Sequence, residues 1–302
     1  MEIAIIGSGI VGAATGKYFS DVLKHHVVFQ DINKETIRKL KTEGYHATTS
    51  LEDAVISSSV GFICVPTPNY SDGYQDKNII TAVSRDLGII LKKTDDLYTV
   101  AVKSTVLPGT TRKVVGNFIR HYSKKKLGEE VLLDMNPEFL TFIQNSWTKD
   151  KNMDKKPKNE SKIVIGEYNR KSGNVLEKIY EKSQAPKFRV SLEEAEFIKY
   201  ANNYILPARI SVWNELFLMA KALSKDKLMK INTNKIAEIL TLDERIGKYG
   251  SVHGKAYGGP CFEKDPQAFL SWAEGFNGFN PIILRAIVET NKDMARKYGI
   301  RK

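Results

Sequence analysis

The chain opens with a short apolar strand that leads directly into a glycine-rich turn. Residues 2–6 read Glu-Ile-Ala-Ile-Ile, and Gly7, Gly9 and Gly12 follow in the pattern Gly-x-Gly-x-x-Gly. In a strand–turn–helix unit, the first glycine permits the turn, the second lets a ligand approach the backbone, and the third lets the helix pack on the strand. The amino end of that helix faces the phosphates of a dinucleotide. The pattern therefore predicts a parallel α/β sheet that binds a dinucleotide.

A carboxylate at the end of the second predicted strand indicates which dinucleotide binds. Asp31 follows the apolar residues 27–29 and lies 19 positions after Gly12, close to the spacing of about 20 expected for a residue that binds the ribose. Asp31 can accept a hydrogen bond from the ribose 2′-hydroxyl, and its charge repels a 2′-phosphate. We therefore predict NAD, while Lys34 and Arg38 are the nearby cations that would favour NADP.

Apolar runs alternate with amphipathic segments over the first 190 residues. Runs typical of buried parallel strands lie at residues 3–6, 26–30, 60–65, 98–102, 131–134 and 162–166. The segments between them predict crossover helices, and this alternation is typical of a doubly wound sheet. We predict an α/β fold with a Rossmann-like, doubly wound parallel sheet over residues 1–190.

A helical pattern replaces this alternation in the remaining third of the chain. The apolar spacing predicts helices at residues 191–220, 231–245 and 281–298. Ser191 and Glu194 match a capping box at the start of the long first helix, and Pro207 is expected to kink it. We assign residues 191–302 to a helical central domain, and the long helix offers a surface for dimerisation.

The composition excludes several classes of protein. A chain of 302 residues is long enough to bury the cores of two domains. Two cysteines are too few for a disulfide framework, and no apolar run approaches the length of a membrane span. Because the sequence begins with a strand instead of signal-peptide regions, we expect a cytoplasmic protein with reduced thiols. Cys64 lies in an apolar run and is predicted to pack in the core, which leaves Cys261 as the candidate reactive thiol.

The net charge of +11 raises the question of a nucleic-acid partner. The main basic clusters are Lys124 to Lys126 and the lysine-rich stretch 149–162, and the other lysines are dispersed. No zinc, helix-turn-helix or RNA-binding motif accompanies them. We interpret both clusters as solvated loops and expect neither a nucleic-acid partner nor a bound metal. An anionic sugar nucleotide is a partner that the same charge would attract.

The segment Gly-Gly-Pro-Cys-Phe-Glu-Lys-Asp at residues 258–265 predicts an accessible thiolate. Its two glycines allow a sharp turn and the close approach of a ligand. The ammonium of Lys264, three residues after Cys261, favours the ionised sulfur, which is the nucleophilic form. Taken alone, the turn also fits a cysteine that acts as a small buried apolar residue.

Polar side chains also follow the predicted strands and share one face of the long helix. Thr67, Thr105 and Glu138 each come after a strand, where parallel-sheet proteins place their ligand sites. Lys199 and Asn203 are four residues apart and so project from the same helix face. They lie in a largely apolar stretch, where a buried lysine needs a reason such as polarising an oxyanion. Each feature singly also fits an ordinary turn or a solvated surface.

Together these motifs resemble the UDP-glucose/GDP-mannose dehydrogenase family. The matching segments are GSGIVG at 7–12, VPTP at 65–68, KSTVLPGTT at 103–111, NPEFL at 136–140, EAEFIKYANN at 194–203, WNEL at 213–216, DERIG at 243–247 and GGPCFEKD at 258–265. Their order and rough spacing agree over nearly the whole chain. The resemblance implies NAD as the cofactor, a nucleotide-sugar substrate and a homodimer formed through the long helix.

The resemblance also implies a four-electron oxidation of the sugar at C6, most closely that of UDP-glucose to UDP-glucuronate. Cys261 would add to the aldehyde intermediate, and the resulting thiohemiacetal would be oxidised to a thioester that water releases. Three alternatives stay open. They are a related dehydrogenase for GDP-mannose or a UDP-N-acetylhexosamine, a dehydrogenase for a small hydroxy acid, and a non-catalytic or partner-dependent subunit that binds NAD.

The resemblance also implies roles for the residues that match the family motifs. The implied catalytic residues are Cys261, Lys199, Asn203, Asp265, Glu138 and Thr105. Among them, Lys199 and Asn203 would hold the oxyanion, Asp265 and Thr105 would orient a water or assist proton transfer, and Glu138 would serve as acid/base. The implied cofactor contacts are Gly7, Gly9, Ile10, Val11, Gly12, Asp31, Thr67, Thr105 and Lys264. The implied substrate contacts are Glu138, Phe139, Leu140, Lys199, Asn203, Arg245, Tyr257 and Gly258, with Arg245 reaching the substrate of a neighbouring subunit.

Three departures from the family pattern are visible. Phe142 stands where a second glutamate is common, which removes one carboxylate from the step that hydrolyses the thioester. Pro260 and Glu263 replace a serine and a proline near the cysteine, and Pro207 replaces a small helix former. Family members usually continue into a second α/β domain that binds the nucleotide, whereas this sequence ends at Lys302. A separate chain that completes the nucleotide site is therefore a further expected partner.

Overall fold

The computed structural model describes residues 1–139, 161–224 and 230–301. These residues form two compact units. The first unit contains residues 1–68, 75–139 and 161–199, and the second contains residues 69–74, 200–224 and 230–301. The domain boundary predicted after residue 190 stays a prediction. Leu140, Phe142 and most of the lysine-rich stretch 149–162 lie outside the described residues.

The first unit is built on one eight-stranded sheet. Its strands are β1 (Glu2–Ile6), β2 (His26–Gln30), β3 (His46–Thr48), β4 (Val60–Ile63), β5 (Tyr98–Val102), β6 (Val131–Met135), β7 (Ile163–Glu167) and β8 (Lys187–Ser191). Their order across the sheet is β3-β2-β1-β4-β5-β6-β7-β8. Each of the six predicted apolar runs forms one of these strands, so the predicted doubly wound sheet is confirmed.

Two features of the sheet differ from the prediction. Strand β7 pairs antiparallel with β6, through Asp134 with Glu167 and Met135 with Gly166, so the sheet is mixed. An apolar run gives the position of a strand but not its direction, which is why the sequence could not show this reversal. Strands β3 and β8 were not predicted. The former has three residues, and the latter, at the sheet edge, has none that is fully buried.

Helices cover both faces of this sheet. They are α1 (Ile10–Lys17), α2 (Lys34–Thr42), α3 (Leu51–Ile56), α4 (Asn78–Leu91), α5 (Asn117–Ser123) and α6 (Arg170–Ile179), with π-helical segments at Tyr18–Val22 and Thr111–Gly116. Ala4 and Ile6 belong to one apolar cluster, whereas Ile3 and Ile5 belong to another. Because successive strand residues point to opposite faces, β1 is buried on both sides. Cys64 packs in the second cluster, which confirms its prediction as a core residue.

The second unit is helical. Its helices are α7 (Leu192–Leu223), whose residues up to Lys199 belong to the first unit, and then α8 (Thr233–Leu240), α9 (Asp265–Glu274) and α10 (Ile282–Tyr298). Helix α8 is shorter than the predicted 231–245 because residues 241–246 form turns and a bend. Helix α9 was not predicted. Among the described helices, none combines the length and the apolar character that crossing a membrane requires.

The predicted start of α7 is confirmed by its hydrogen bonds. The Ser191 backbone N–H donates to Glu194 Oε2 at 2.8 Å, and the Glu194 N–H donates to Ser191 Oγ at 3.2 Å. These reciprocal bonds satisfy two backbone donors of the first helical turn. Pro207 lies inside α7, which continues on both sides of it. The predicted kink stays a prediction.

Asp134 is a carboxylate in the core of the first unit. It lies on β6 with no exposed surface, and neither of its carboxylate oxygens has a hydrogen-bond partner among the described residues. Burial disfavours the charged form and raises the pKa of Asp134 to about 7. In the unfolded chain this carboxyl group ionises near pH 4. The protein therefore loses stability as the pH rises from about 4 to about 7, the window in which only the unfolded state has released the proton.

We expect Asp134→Asn to raise the unfolding temperature at pH 8 by several degrees and at pH 5 by clearly less. Asparagine does not ionise, so the substitution removes the loss of stability that the wild type undergoes between about pH 4 and about pH 7, which is complete at pH 8 and only partial at pH 5. Thermal unfolding followed by circular dichroism at both pH values tests this. Asp96→Asn, at an exposed position, is the control and should show no such difference between the pH values. A loss of stability at pH 8 on Asp134→Asn would contradict the account.

Candidate active site

The glycine turn after β1 has the geometry that a dinucleotide requires. Gly7 has a φ of +88°, in the left-handed region that favours glycine. A Cβ on Gly12 would lie 2.0 Å from the Gly7 carbonyl oxygen, so only glycine fits there. A Cβ on Gly9 would have no atom within 4 Å among the described residues, which leaves the turn open to a ligand. Helix α1 begins at Ile10, which is 68% exposed, and half-buried Val11 follows.

Asp31 is held in a fixed orientation at the end of β2. The Ser8 N–H donates to Asp31 Oδ2 and the Asn33 N–H donates to Asp31 Oδ1, both at 2.8 Å. Each carboxylate oxygen retains a lone pair that can accept from a ribose hydroxyl. Arg38 pairs with Glu35 at 2.5 Å on α2, so this cation is already partly neutralised. These residues therefore fit NAD better than its 2′-phosphorylated form.

Two loops at the same end of the sheet are joined through the backbone carbonyl of Thr105. The Thr67 hydroxyl donates to this oxygen at 2.8 Å, and Gln75 Nε2 donates to it at 2.9 Å. Gln75 Oε1 in turn accepts from the Leu107 N–H at 3.2 Å. The structure thus brings together Thr67 and Thr105, two predicted site residues. Gln75, which tethers them, was missed because its role depends on a contact 30 residues along the chain.

Lys199 and Glu138 form a buried contact in the first unit. Lys199 Nζ donates to the Glu138 carbonyl oxygen and lies 3.4 Å from Glu138 Oε2. Each side chain is only 5% exposed. Lys199 Nζ also lies 5.4 Å from the centroid of the Phe139 ring, a distance at which the ring attracts a cation. Three predicted site residues are thus neighbours, and the remaining one of this loop, Leu140, lies outside the described residues.

The loop that carries Glu138 is anchored by the side chain of Asn136. Asn136 Oδ1 accepts from Lys103 Nζ at 3.1 Å and from the Tyr180 hydroxyl at 2.6 Å, and its Nδ2 donates to the Val164 carbonyl at 2.9 Å. Because a buried amide is stable only when its donors and acceptors are bonded, this network fixes the backbone two residues before Glu138.

Glu196 anchors the loop that follows β5. Its carboxylate accepts from the N–H groups of Gly109 and Thr111 at 2.5 and 2.7 Å, and the side chain is fully buried. Burial raises the pKa of Glu196 to about 7, against the opposing effect of its hydrogen bonds. Glu196 is a site residue that the sequence analysis did not identify. It lies in the same largely apolar helical stretch as Lys199, which was the available signal that its charge is buried for a reason.

The cysteine turn lies in the second unit. Gly259 has a φ of +91°, and the Asp265 N–H donates to the Cys261 carbonyl at 2.9 Å, which closes the turn. Cys261 is partly exposed. The buried Asp265 carboxylate accepts from Asn203 Nδ2 at 2.7 Å and lies 2.5 Å from Lys264 Nζ. Asn203, Lys264 and Asp265 are therefore brought together. Contact of Lys264 with the cofactor stays a prediction.

The remaining predicted substrate residues differ in exposure. The Arg245 side chain is 90% exposed and pairs with Asp243, with Nε and Nη2 at 3.0 and 2.7 Å from its two carboxylate oxygens. This pairing lowers the pKa of Asp243. Tyr257 is buried in an apolar cluster with Ile210 and Ile287, and burial raises the pKa of its hydroxyl. Gly258 is buried beside it. As substrate contacts these residues stay predictions.

Family comparisons cover most of the chain. The model of the UDP-glucose/GDP-mannose dehydrogenase family, NAD binding domain, matches residues 40–184, and that of the family's central domain matches residues 193–293. UDP-glucose 6-dehydrogenase AglM of Haloferax volcanii is 32% identical over 96% of this chain and 69% of its own length. GDP-mannose 6-dehydrogenase of Pseudomonas aeruginosa is 31% identical over 98% of this chain and 70% of its own.

Solved structures agree with these matches. A UDP-glucose dehydrogenase from Pyrobaculum islandicum superposes with a TM-score of 0.83 and 29% identity, covering 97% of this chain and 68% of the other. A ternary complex of GDP-mannose dehydrogenase from Pseudomonas aeruginosa gives a TM-score of 0.72 and 30% identity, covering 98% and 70%. The fold, the glycine turn with Asp31 and these similarities lead to one conclusion: the chain belongs to the UDP-glucose/GDP-mannose dehydrogenase family, and its cofactor is NAD.

Proposed function

We propose that this chain oxidises a nucleotide sugar at C6 by four electrons, with UDP-glucose converted to UDP-glucuronate as the leading reaction. The observation that carries the proposal is the partly exposed thiol of Cys261 in a glycine turn that is closed by Asp265. A dehydrogenase that stops at an aldehyde or ketone has no use for such a thiol, whereas oxidation to the acid needs a nucleophile that holds the aldehyde.

The chemistry balances with one thiol and one water. NAD, when bound, would supply the hydride acceptor, and two equivalents are needed to take up the four electrons. The first oxidation converts the C6 alcohol to an aldehyde and releases a proton. The Cys261 sulfur then adds to the carbonyl carbon to give a thiohemiacetal, and loss of a hydride and a proton from this adduct leaves a thioester. Water attacks the thioester, which releases the carboxylate and restores the thiol.

Lys199 and Asn203 are proposed to stabilise the oxyanion that develops at C6. Both are donors, and they stand one helical turn apart on α7. The Lys199 ammonium is already desolvated and oriented by the Glu138 carbonyl, and Asn203 is oriented by Asp265. Donors held in this way stabilise a developing charge without reorganising during the reaction.

Glu138 is proposed as the acid/base of the hydrolytic step. Its Oε1 atom is buried and has no hydrogen-bond partner among the described residues, which favours a role in binding a water or a substrate hydroxyl. Asp265 and Thr105 are proposed to orient that water or to assist proton transfer. The carbonyl of Thr105 is fixed by Thr67 and Gln75, which supports a defined position for its side chain.

A homodimer through α7 is part of the proposal. Apolar side chains that are 40–57% exposed recur along this helix at Ile205, Val212, Leu216, Met219 and Leu223. Such a stripe of exposed apolar groups is typical of a helix that packs on another helix. The exposed guanidinium of Arg245 is proposed to bind the sugar nucleotide held by the neighbouring subunit.

The purified protein, incubated with NAD, should form two NADH for each UDP-glucuronate from UDP-glucose. We expect kcat/KM for GDP-mannose and for UDP-N-acetylhexosamines to be lower by about 10-fold or more, because each changes groups that a polar pocket must satisfy. NADH absorbance and chromatography of the products measure both quantities. A faster reaction with GDP-mannose would contradict the assignment of UDP-glucose. Tight NAD binding by the folded protein without turnover of any of these substrates would instead favour the partner-dependent subunit.

The substitution Cys261→Ser should lower the rate of acid formation by roughly 10³-fold or more, because the nucleophile of the second oxidation is lost. The rate of acid formation is measured by chromatography. Cys64→Ala removes the other thiol, in the core of the first unit, and should leave acid formation within a few-fold of wild type. Full acid yield from Cys261→Ser would show that the thiol is not the nucleophile.

Lys199→Met keeps the length of the side chain but removes the ammonium. We expect kcat to fall by about 10²- to 10³-fold, since one oxyanion donor is lost, with a smaller change in KM. Lys221→Met makes the same change at an exposed position of α7 and is the control in steady-state kinetics. Equal kcat values for the two variants would contradict the role of Lys199.

A further inference from the structure

The peptide unit of Tyr257, just before the cysteine turn, is gripped by a side chain of α10. Asn291 Oδ1 accepts from the Tyr257 N–H at 2.8 Å, and Asn291 Nδ2 donates to the Tyr257 carbonyl at 3.1 Å. A carboxamide is well suited to this task because it carries a donor and an acceptor side by side. Two bonds from one rigid group fix both the position and the orientation of this backbone segment.

The neighbouring residue is held by the segment that follows α10. The Ala256 N–H donates to the Gly299 carbonyl at 3.0 Å, and the Arg301 N–H donates to the Ala256 carbonyl at 2.9 Å. These bonds form an isolated parallel bridge between Ala256 and Ile300. A Cβ on Gly258 would lie 2.4 Å from Ile300 Cγ2, so the following residue packs tightly as well. All four backbone groups of residues 256 and 257 are therefore bonded to α10 or to its extension.

Cys261 lies between the hydrogen-bonded residues 256 and 257 and a second fixed residue, Asp265. On its carboxyl side, the Asp265 N–H bonds to the Cys261 carbonyl, and the Asp265 side chain is buried and bonded to Asn203. The intervening turn depends on the positive φ of Gly259 and has one partly exposed thiol. Movement of either end would displace the sulfur.

We propose that Asn291 is the positioning residue of the Cys261 nucleophile. It holds the start of the cysteine turn, so that the sulfur meets the C6 carbon of the substrate in a reactive geometry. The inference rests on the proposed function, because it takes Cys261 to be the attacking group. Displacing a reacting atom by about 1 Å lowers the rate on the order of 100-fold, so loss of the two hydrogen bonds from Asn291 to Tyr257 should lower kcat measurably.

Three variants test this proposal. Asn291→Ala removes both bonds to Tyr257, Asn291→Asp keeps the acceptor and loses the donor, and Lys292→Ala is an exposed control on the same helix. For Asn291→Ala we expect kcat to fall by about 10- to 100-fold with KM nearly unchanged, and for Asn291→Asp a smaller fall. The control should match wild type.

A second readout does not require turnover. The rate at which iodoacetamide alkylates Cys261, followed by mass spectrometry of its peptide across pH, reports the environment of the thiol directly. We expect this rate and its pH dependence to change several-fold in Asn291→Ala and not in Lys292→Ala.

A merely structural asparagine would lower the unfolding temperature alone, so unchanged kcat and unchanged alkylation in the folded variants would overturn the proposal. If the wild type turned over no nucleotide sugar, the proposed function would fail, while the alkylation rates would still decide whether Asn291 positions the thiol. If Asn291→Ala did not fold, Asn291→Asp would provide both readouts.

Discussion

Parallel pairing of β2, β1, β4, β5 and β6 brings five segments that are distant in sequence to one edge of the sheet. Because parallel strands all run the same way, their carboxyl ends lie side by side. Gly7, Asp31, Thr67, Thr105 and Glu138 each follow one of these strands within four residues. The direction of the strands therefore determines where the site of the first unit can form, and its individual side chains act only within that position. Replacing one of these strands by an antiparallel one would move its site residue to the opposite edge.

Helix α7 supplies three anchoring side chains at intervals of three and four residues. Glu196 binds the N–H groups of the loop after β5, Lys199 binds the carbonyl of Glu138, and Asn203 binds Asp265 next to the cysteine turn. Residues at this spacing follow one another along one helix face. Within the first unit, Glu196 and Lys199 orient loops of the dinucleotide-binding sheet, and within the second, Asn203 orients the carboxylate beside the proposed nucleophile.

Much of this arrangement could be predicted because it is local in sequence. The glycine turn, the six apolar runs predicted as strands and the capping box of Ser191 and Glu194 are patterns of a few consecutive residues, and each has the predicted form. Strand β8 was missed because an edge strand with charged residues has no apolar run, and α9 was missed because the motif before it reads as a loop. Gln75 and Asn291 act on backbone groups about 30 residues away, and no local pattern contains such a contact. Long-range hydrogen bonds to the backbone are therefore the part of this site that needed a structure.

The proposed mechanism requires that Cys261 hold the sugar covalently between the two oxidations. The most direct measurement is rapid-quench mass spectrometry of the Cys261 peptide in Glu138→Gln supplied with NAD and UDP-glucose, because loss of the proposed acid/base should slow release of the thioester. The account predicts a nucleotide-uronyl adduct on Cys261 that appears with the second NADH and decays as the acid is released. Steady formation of the acid with no adduct on Cys261 at any time would contradict it.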